Sequence, residues 1–158
     1  MQYQSRKAGR TQGRVLFLDF DGVLHALAGS PELTRRFVWS HLLEAALQPF
    51  PEVCIVIHGP ARAHSEAAAL IRQMGILGQR VIDVAPPGLS GWDAISHWLD
   101  GHPEVEDYCI VDAHGAAFPD GLDNLIACDP EQGIAQAAVR DALRRWLAAA
   151  DTVQFEAG

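Results

Sequence analysis

Asp19 and Asp21 are separated by one residue, followed at once by Gly22, and preceded by an uncharged apolar run, Val15 to Leu18. Two acidic oxygens converging in a cleft suit a hard cation such as Mg²⁺. The run before them is rich in strand formers and bounded by polar residues. It predicts a buried strand of a parallel sheet covered on both faces. In open α/β sheets ligands bind outside the carboxyl ends of the strands, so both carboxylates would face the site. If strand geometry persists past Leu18, side-chain alternation puts Asp19 and Asp21 on one face and Phe20 on the other. Gly22 then supplies the freedom to turn sharply away.

The elements that must position this pair follow along the chain. Residues 23–37 predict a loop, with Gly29, Ser30 and Pro31 as turn signals. Trp39, Leu42, Leu43, Ala46 and Leu47 repeat at helical spacing. A second strand is expected over 53–57, a helix from about Arg62 to Met74 closed by Gly75, and a third strand over 80–84. Trp92, Ile95, Ser96 and Leu99 mark another helix; Tyr108 to Val111 form a fourth strand ending at Asp112, and residues 124–128 a fifth. The last helix is expected from about Ile134 to Ala149. Strands alternating with helices predict an α/β fold, a three-layer α/β/α sandwich around a mostly parallel five-stranded sheet. Residues 1–13 are expected to be a disordered basic tail, 14–150 a single domain and 151–158 a C-terminal tail. His41, His64, His97 and His102 fall at surface positions, and Trp39, Trp92, Trp98 and Trp146 at packing positions.

The chain of 158 residues is 49% hydrophobic, enough for one good core. Its formal charge of -8 argues against general nucleic-acid affinity, which needs clustered Lys and Arg. Arg6, Lys7, Arg10 and Arg14 do cluster at the start, and a solvated tail accounts for them more simply than an RNA-binding arm. Cys54, Cys109 and Cys128 share no CxxC spacing, which points away from a zinc knuckle or redox motif and toward buried reduced thiols. No apolar run is long enough to span a membrane and the N-terminus lacks a signal-peptide core, so a cytoplasmic location without membrane partners is expected.

Asp19-Phe20-Asp21-Gly22-Val23-Leu24 after an apolar strand resembles the first motif of the haloacid dehalogenase-like (HAD) hydrolases. With Leu16-Phe17-Leu18 before it and His25 after, it is also similar to the small HAD domain associated with Swiss-army-knife RNA repair proteins. The resemblance implies a Rossmannoid HAD fold over most of residues 14–150. It implies Asp19 as the nucleophile that forms an aspartyl-phosphate, and Asp21 as general acid/base whose backbone carbonyl joins the metal shell. Asp112 matches the position of a direct metal ligand, so Asp19, Asp21 and Asp112 would hold Mg²⁺, with Mn²⁺ or another divalent ion as alternatives. No interval is long enough for a lid domain after Asp21 or after the third strand. A HAD protein of this kind would be capless, its open site suited to a macromolecular substrate or covered by another subunit of a homo-oligomer.

The chain also departs from the family pattern. Where the RNA-repair group resembles Ile-Val-Ile-Ser-Ser-Ser-Trp-Arg, this chain has Ile55-Val56-Ile57-His58-Gly59-Pro60-Ala61-Arg62. The phosphate-binding hydroxyls are gone, leaving His58, Gly59 and Arg62 as replacement contacts. The family lysine is absent, because the only lysine is Lys7; Arg62, Arg80 or His114 would have to supply that charge. After the fourth strand, Val111-Asp112-Ala113-His114 keeps one acid where the family usually shows two. His58 and His114 follow the strands that flank the first one in this fold. Two histidines with two carboxylates would suit Mn²⁺, Fe²⁺ or Zn²⁺ better than Mg²⁺, whereas coincidence of loop position explains them without a metal. Two functions stay open. One is a metal-dependent phosphatase acting through Asp19 on a phosphorylated substrate, a nucleic-acid end among the candidates. The other is a HAD-fold pseudoenzyme serving as a binding or regulatory module.

Overall fold

The computed structural model describes residues 13–59, 67–86, 88–89 and 91–157. In chain order the elements are β1 (Arg14–Leu18), α1 (Pro31–Thr34), α2 (Ser40–Leu47), β2 (Cys54–Ile57), α3 (Ala67–Gln73), β3 (Val81–Val84), α4 (Gly91–Asp100), β4 (Asp107–Asp112), β5 (Leu125–Ala127) and α5 (Ala137–Ala157). The strands form one five-stranded sheet in the order β3-β2-β1-β4-β5, and every pairing is parallel. This is the α/β sandwich that the alternating pattern predicts.

β1 lies at the centre of the sheet, and Val15, Leu16, Phe17 and Leu18 are all 0% exposed. A run of four such apolar side chains fits only between two covered faces. Leu16 and Leu18 join the core built with Leu43 and Leu47 of α2, Leu70 and Ile71 of α3, and Val139 and Leu143 of α5. Val15 and Phe17 join the opposite core, built with Ala94, Ile95 and Trp98 of α4. Phe17 meets Trp98 and Tyr108 edge-on, at centroid distances of 5.5 and 5.9 Å, a favoured aromatic geometry.

Register matters most for function. Leu18 pairs with Ile57 of β2 and with Val111 of β4. The residue after each of these is Asp19, His58 and Asp112, so three polar side chains emerge at one level from adjacent strands. The His58 N–H donates to the Leu18 carbonyl at 3.1 Å, carrying the pairing one step beyond β2.

Several boundaries differ from those expected. The stretch 23–37 holds the short helix α1, because Ser30 precedes Pro31, whose fixed φ is preorganised for a first helical position. The expected helix start at Arg62 lies outside the described residues, as do residues 1–12 of the expected basic tail and His64. Gly75 opens a 3₁₀ turn (Gly75–Arg80) rather than only closing a helix. Ile134 lies in a 3₁₀ turn before α5, where its N–H donates to the Val23 carbonyl at 2.9 Å. The backbone of α5 then runs to Ala157, through most of the expected C-terminal tail. No Gly or Pro occurs between Gly133 and Gly158, and the alanine-rich stretch favours continued helix. Arg14, grouped with the basic tail by charge, is buried; it donates to the Trp146 carbonyl at 2.9 Å and stacks over the Trp146 ring. His41 and His97 are exposed as expected, while His102 stacks flat on Trp98 at 3.7 Å.

Arg80 is committed to structure. Its guanidinium donates to the carbonyls of Leu47, Phe50 and Val53 at 2.7–2.9 Å, closing the carboxyl end of α2, where unsatisfied carbonyls and the helix dipole favour a cation. Charged hydrogen bonds contribute roughly 1.5–3 kcal/mol each, and solvent can replace part of that. Arg80→Ala is therefore expected to lower unfolding free energy by about 2–3 kcal/mol in urea titrations.

Candidate functional site

Asp19 and Asp112 stand at the ends of β1 and β4 and are each 3% exposed. Asp19 Oδ1 accepts the Phe20 N–H at 2.7 Å. Asp112 Oδ1 accepts the backbone N–H of His114 at 2.6 Å, a tight turn that folds the chain back on itself. The turn returns the His114 ring to the strand ends. Its Nδ1 lies 3.3 Å from Asp112 Oδ1 and 3.6 Å from Asp19 Oδ2. A carboxylate oxygen of each aspartate and a ring nitrogen of His114 fall within 4.8 Å of one another. A donor set this close, two of its members anionic, fits one divalent cation. This set keeps Asp19 and Asp112 of the expected ligands and adds the His114 side chain; the part expected of Asp21 is its backbone carbonyl.

His58 approaches from β2. It is 2% exposed, and its Nε2 lies 3.5 Å from Asp112 Oδ2 without a hydrogen-bond partner. Burial pushes the His58 pKa down to about 4; Asp112 pulls it upward and His114 lowers it further. The imidazole is therefore neutral at neutral pH. Gly59 follows with φ of 138°, and a Cβ built there would sit 2.6 Å from Asp19 Oδ1. Glycine is required at this position both for its backbone angle and because its main chain abuts the Asp19 carboxylate.

Asp21, two residues past Asp19, is held by His25. Gly22 takes φ of 79°, and a Cβ there would strike Ala113 at 2.7 Å, so the turn after β1 packs directly against the residue following Asp112. Asp21 Oδ1 then meets His25 Nε2 at 2.8 Å. The other ring nitrogen, Nδ1, accepts the Phe37 N–H at 3.2 Å. That contact fixes the neutral tautomer with the proton on Nε2, which donates to Asp21. Burial first, and the charge of Arg36 second, lower the His25 pKa and keep the ring neutral. Phe37 holds φ of 63°, an unusual angle for a bulky side chain. Residues in such sparsely populated conformations often mark functional sites. In the sequence His25 stands only as the end of a motif. Its spacing of four residues from Asp21 across a glycine turn was the available signal.

The structure thus gathers Asp19, His58, Gly59, Asp112 and His114, and places Asp21 against His25. Arg62 lies outside the described residues. Arg80 caps α2 and does not reach this cluster through its described contacts. Cys109 and Cys128 are held protonated, burial pushing each thiol up to about 12, and all three cysteines are buried. No helix among the described residues is long and apolar enough to cross a membrane.

Residues 15–139, from β1 into α5, match the family described as the HAD domain in Swiss Army Knife RNA repair proteins. The chain belongs to this family. The match covers every strand of the HAD-like domain and both carboxylates of the cluster, and HAD domains generally use a divalent metal. No curated protein and no solved structure matches the chain. The HAD-like hydrolase class accordingly rests on the family match together with the acidic strand ends.

His58 gives the HAD domain a pH signature. The folded state refuses a proton that the unfolded state accepts below about 6.5, so stability rises with pH between the two pKa values. Metal-free protein is expected to lose on the order of 3 kcal/mol as pH falls from about 6.5 to about 4, with no further His58 contribution below that. Urea midpoints across this range, compared with those of His58→Leu, check it. Equal slopes in the two proteins would contradict the buried neutral imidazole.

Proposed function

We propose that this HAD domain is a metal-dependent phosphohydrolase working through an aspartyl-phosphate on Asp19. The observation that carries this is the position of Asp19: buried at the end of the central strand, beside Asp112 and His114, with the backbone of Gly59 against its carboxylate. In the first step an Asp19 oxygen attacks phosphorus and the bond from phosphorus to the leaving oxygen breaks. Asp21 supplies the proton that the leaving oxygen takes up. In the second step Asp21 takes a proton from water, whose oxygen attacks phosphorus, releasing phosphate and restoring Asp19. Splitting hydrolysis into two displacements makes each easier. Asp19, Asp112 and His114 would hold the divalent ion, which shields the repulsion between carboxylate and phosphate.

His25 serves this scheme by donating to Asp21, fixing the orientation of the acid/base. The phosphate oxygens would meet the loop after β2, with the Gly59 N–H as donor and Arg62 as the cation that replaces the family lysine. The family description names RNA repair, and the short interval between Asp21 and β2 leaves room for a large substrate. A nucleic-acid end phosphate is the substrate class these two points support, against the acidic charge of -8. The loss of the family lysine and hydroxyls supports a second role, a metal-holding HAD module without turnover. Phosphoryl transfer depends on preorganised positive charge, and losing one such contact typically costs about 10²–10³ in rate.

Hydrolysis of an aryl phosphate by metal-stripped protein, resupplied with Mg²⁺, Mn²⁺, Co²⁺ or Zn²⁺ one at a time, separates the two. The enzyme shows metal-dependent turnover that Asp19→Asn abolishes and Asp21→Asn lowers by about 10²–10⁴. Turnover indifferent to Asp19→Asn would overturn the mechanism, and none with any ion, on aryl or 5′- and 3′-phosphorylated oligonucleotide substrates, would favour the binding module.

A further inference from the structure

We infer that Asp19, Asp112 and His114 form a mixed oxygen–nitrogen centre selective for first-row transition ions of the Mn²⁺, Fe²⁺ and Zn²⁺ class over Mg²⁺, with His58 as the positioning residue behind Asp112. This specifies the ion of the proposed hydrolase and rests on that proposal for the ion's role, though not for its binding.

Geometry is the first support. Two donors about 2.1 Å from one ion, at angles between octahedral and tetrahedral, stand roughly 3.0–3.4 Å apart. His114 Nδ1 lies 3.3 Å from Asp112 Oδ1 and 3.6 Å from Asp19 Oδ2, close to that spacing. The nitrogen thus sits where a ligand would sit, beside the carboxylates and not across a phosphate-sized gap from them. Imidazole suits Zn²⁺ and Fe²⁺, and carboxylate suits Mn²⁺. Mg²⁺ instead demands near-ideal octahedral oxygen geometry and gives up its water reluctantly.

His58 is the second, independent support. Its Nε2 is buried, lacks a hydrogen-bond partner and lies 3.5 Å from Asp112 Oδ2, while the His114 contacts go to Oδ1. A buried polar atom without a partner is costly, so its presence in a fold calls for an explanation. Ligating carboxylates are themselves held by neighbouring hydrogen bonds, and the loss of such a neighbour costs about 10–100-fold in metal affinity. From the end of β2, His58 can hold Oδ2 of Asp112 while Oδ1 faces the ion. The family pattern has a hydroxyl at this place, so the exchange to His58 and the return of His114 alter one centre together.

The test uses full-length, chelator-stripped protein titrated with Co²⁺, whose visible absorption reports its ligands, and with Mg²⁺ by calorimetry. Oxygen-only sites also favour Co²⁺ somewhat, so the deciding arm is His114→Ala. This ring is 51% exposed, so its removal leaves the core untouched; thermal melts and His114→Asn guard against loss of fold. The expected result is one Co²⁺ site bound well above Mg²⁺. His114→Ala and His58→Ala should each weaken Co²⁺ by about 10–100-fold, with the absorption band displaced in His114→Ala and Mg²⁺ binding much less affected. That outcome carries the inference even if no phosphatase turnover is found. Mg²⁺ bound as tightly as Co²⁺, or a Co²⁺ affinity and spectrum unchanged in His114→Ala, would overturn it. The hydrolase would then survive with an oxygen-ligated ion, and His114 would face the phosphate.

Discussion

Two carboxylates, Asp19 and Asp112, are taken almost wholly out of water at the ends of neighbouring strands. Removing an ionised group from water costs several kcal/mol, and like charges at short range oppose each other. The fold meets this cost locally. The Phe20 and His114 N–H groups donate to the two carboxylates, and the His114 ring stands between them. His58 backs Asp112 from the next strand. A divalent ion would complete the compensation, and the stability of the surrounding sheet holds the charges together in the meantime.

The sheet imposes this arrangement through register. Pairing Leu18 with both Ile57 and Val111 leaves no freedom over what emerges next. A slip of one residue on either side would turn Phe20 or Val111 toward the site and send a carboxylate into the opposite core. The uninterrupted apolar runs of β1, β2 and β4 resist such slips because both faces are packed against helices. The geometry of the candidate site and the packing of the core are here the same constraint.

Much of this was legible in the residues. The apolar runs ending in Asp19 and Asp112 marked buried strands with acids at their carboxyl ends, and the alternation of strands with helices gave the sandwich. Other features depend on contacts far apart in the chain. Register is a property of pairs of strands, so the level meeting of Asp19, His58 and Asp112 could be expected only through family likeness. The return of His114 depends on a backbone turn onto Asp112 Oδ1. His25 gains its meaning from Phe37, twelve residues on, whose N–H sets the tautomer. Arg80 looked available as a catalytic cation, and only the fold shows it spent on carbonyls at the end of α2.

The changes relative to the HAD pattern form a coherent group. His58 stands in place of a family hydroxyl, the family lysine is absent, and both His58 and His114 adjoin Asp112. On the proposed reading, contacts aimed at phosphate give way to contacts aimed at Asp112, the carboxylate that would hold the ion. The central claim remains that Asp19 is the atom donor to phosphorus. Acid-quenching the protein during turnover, reducing with borohydride and mapping peptides by mass spectrometry tests it most directly, because reduction converts an aspartyl-phosphate to homoserine. Homoserine at position 19 is the predicted result. An unmodified Asp19 in protein that is turning over, or phosphate found instead on His58 or His114, would contradict the account.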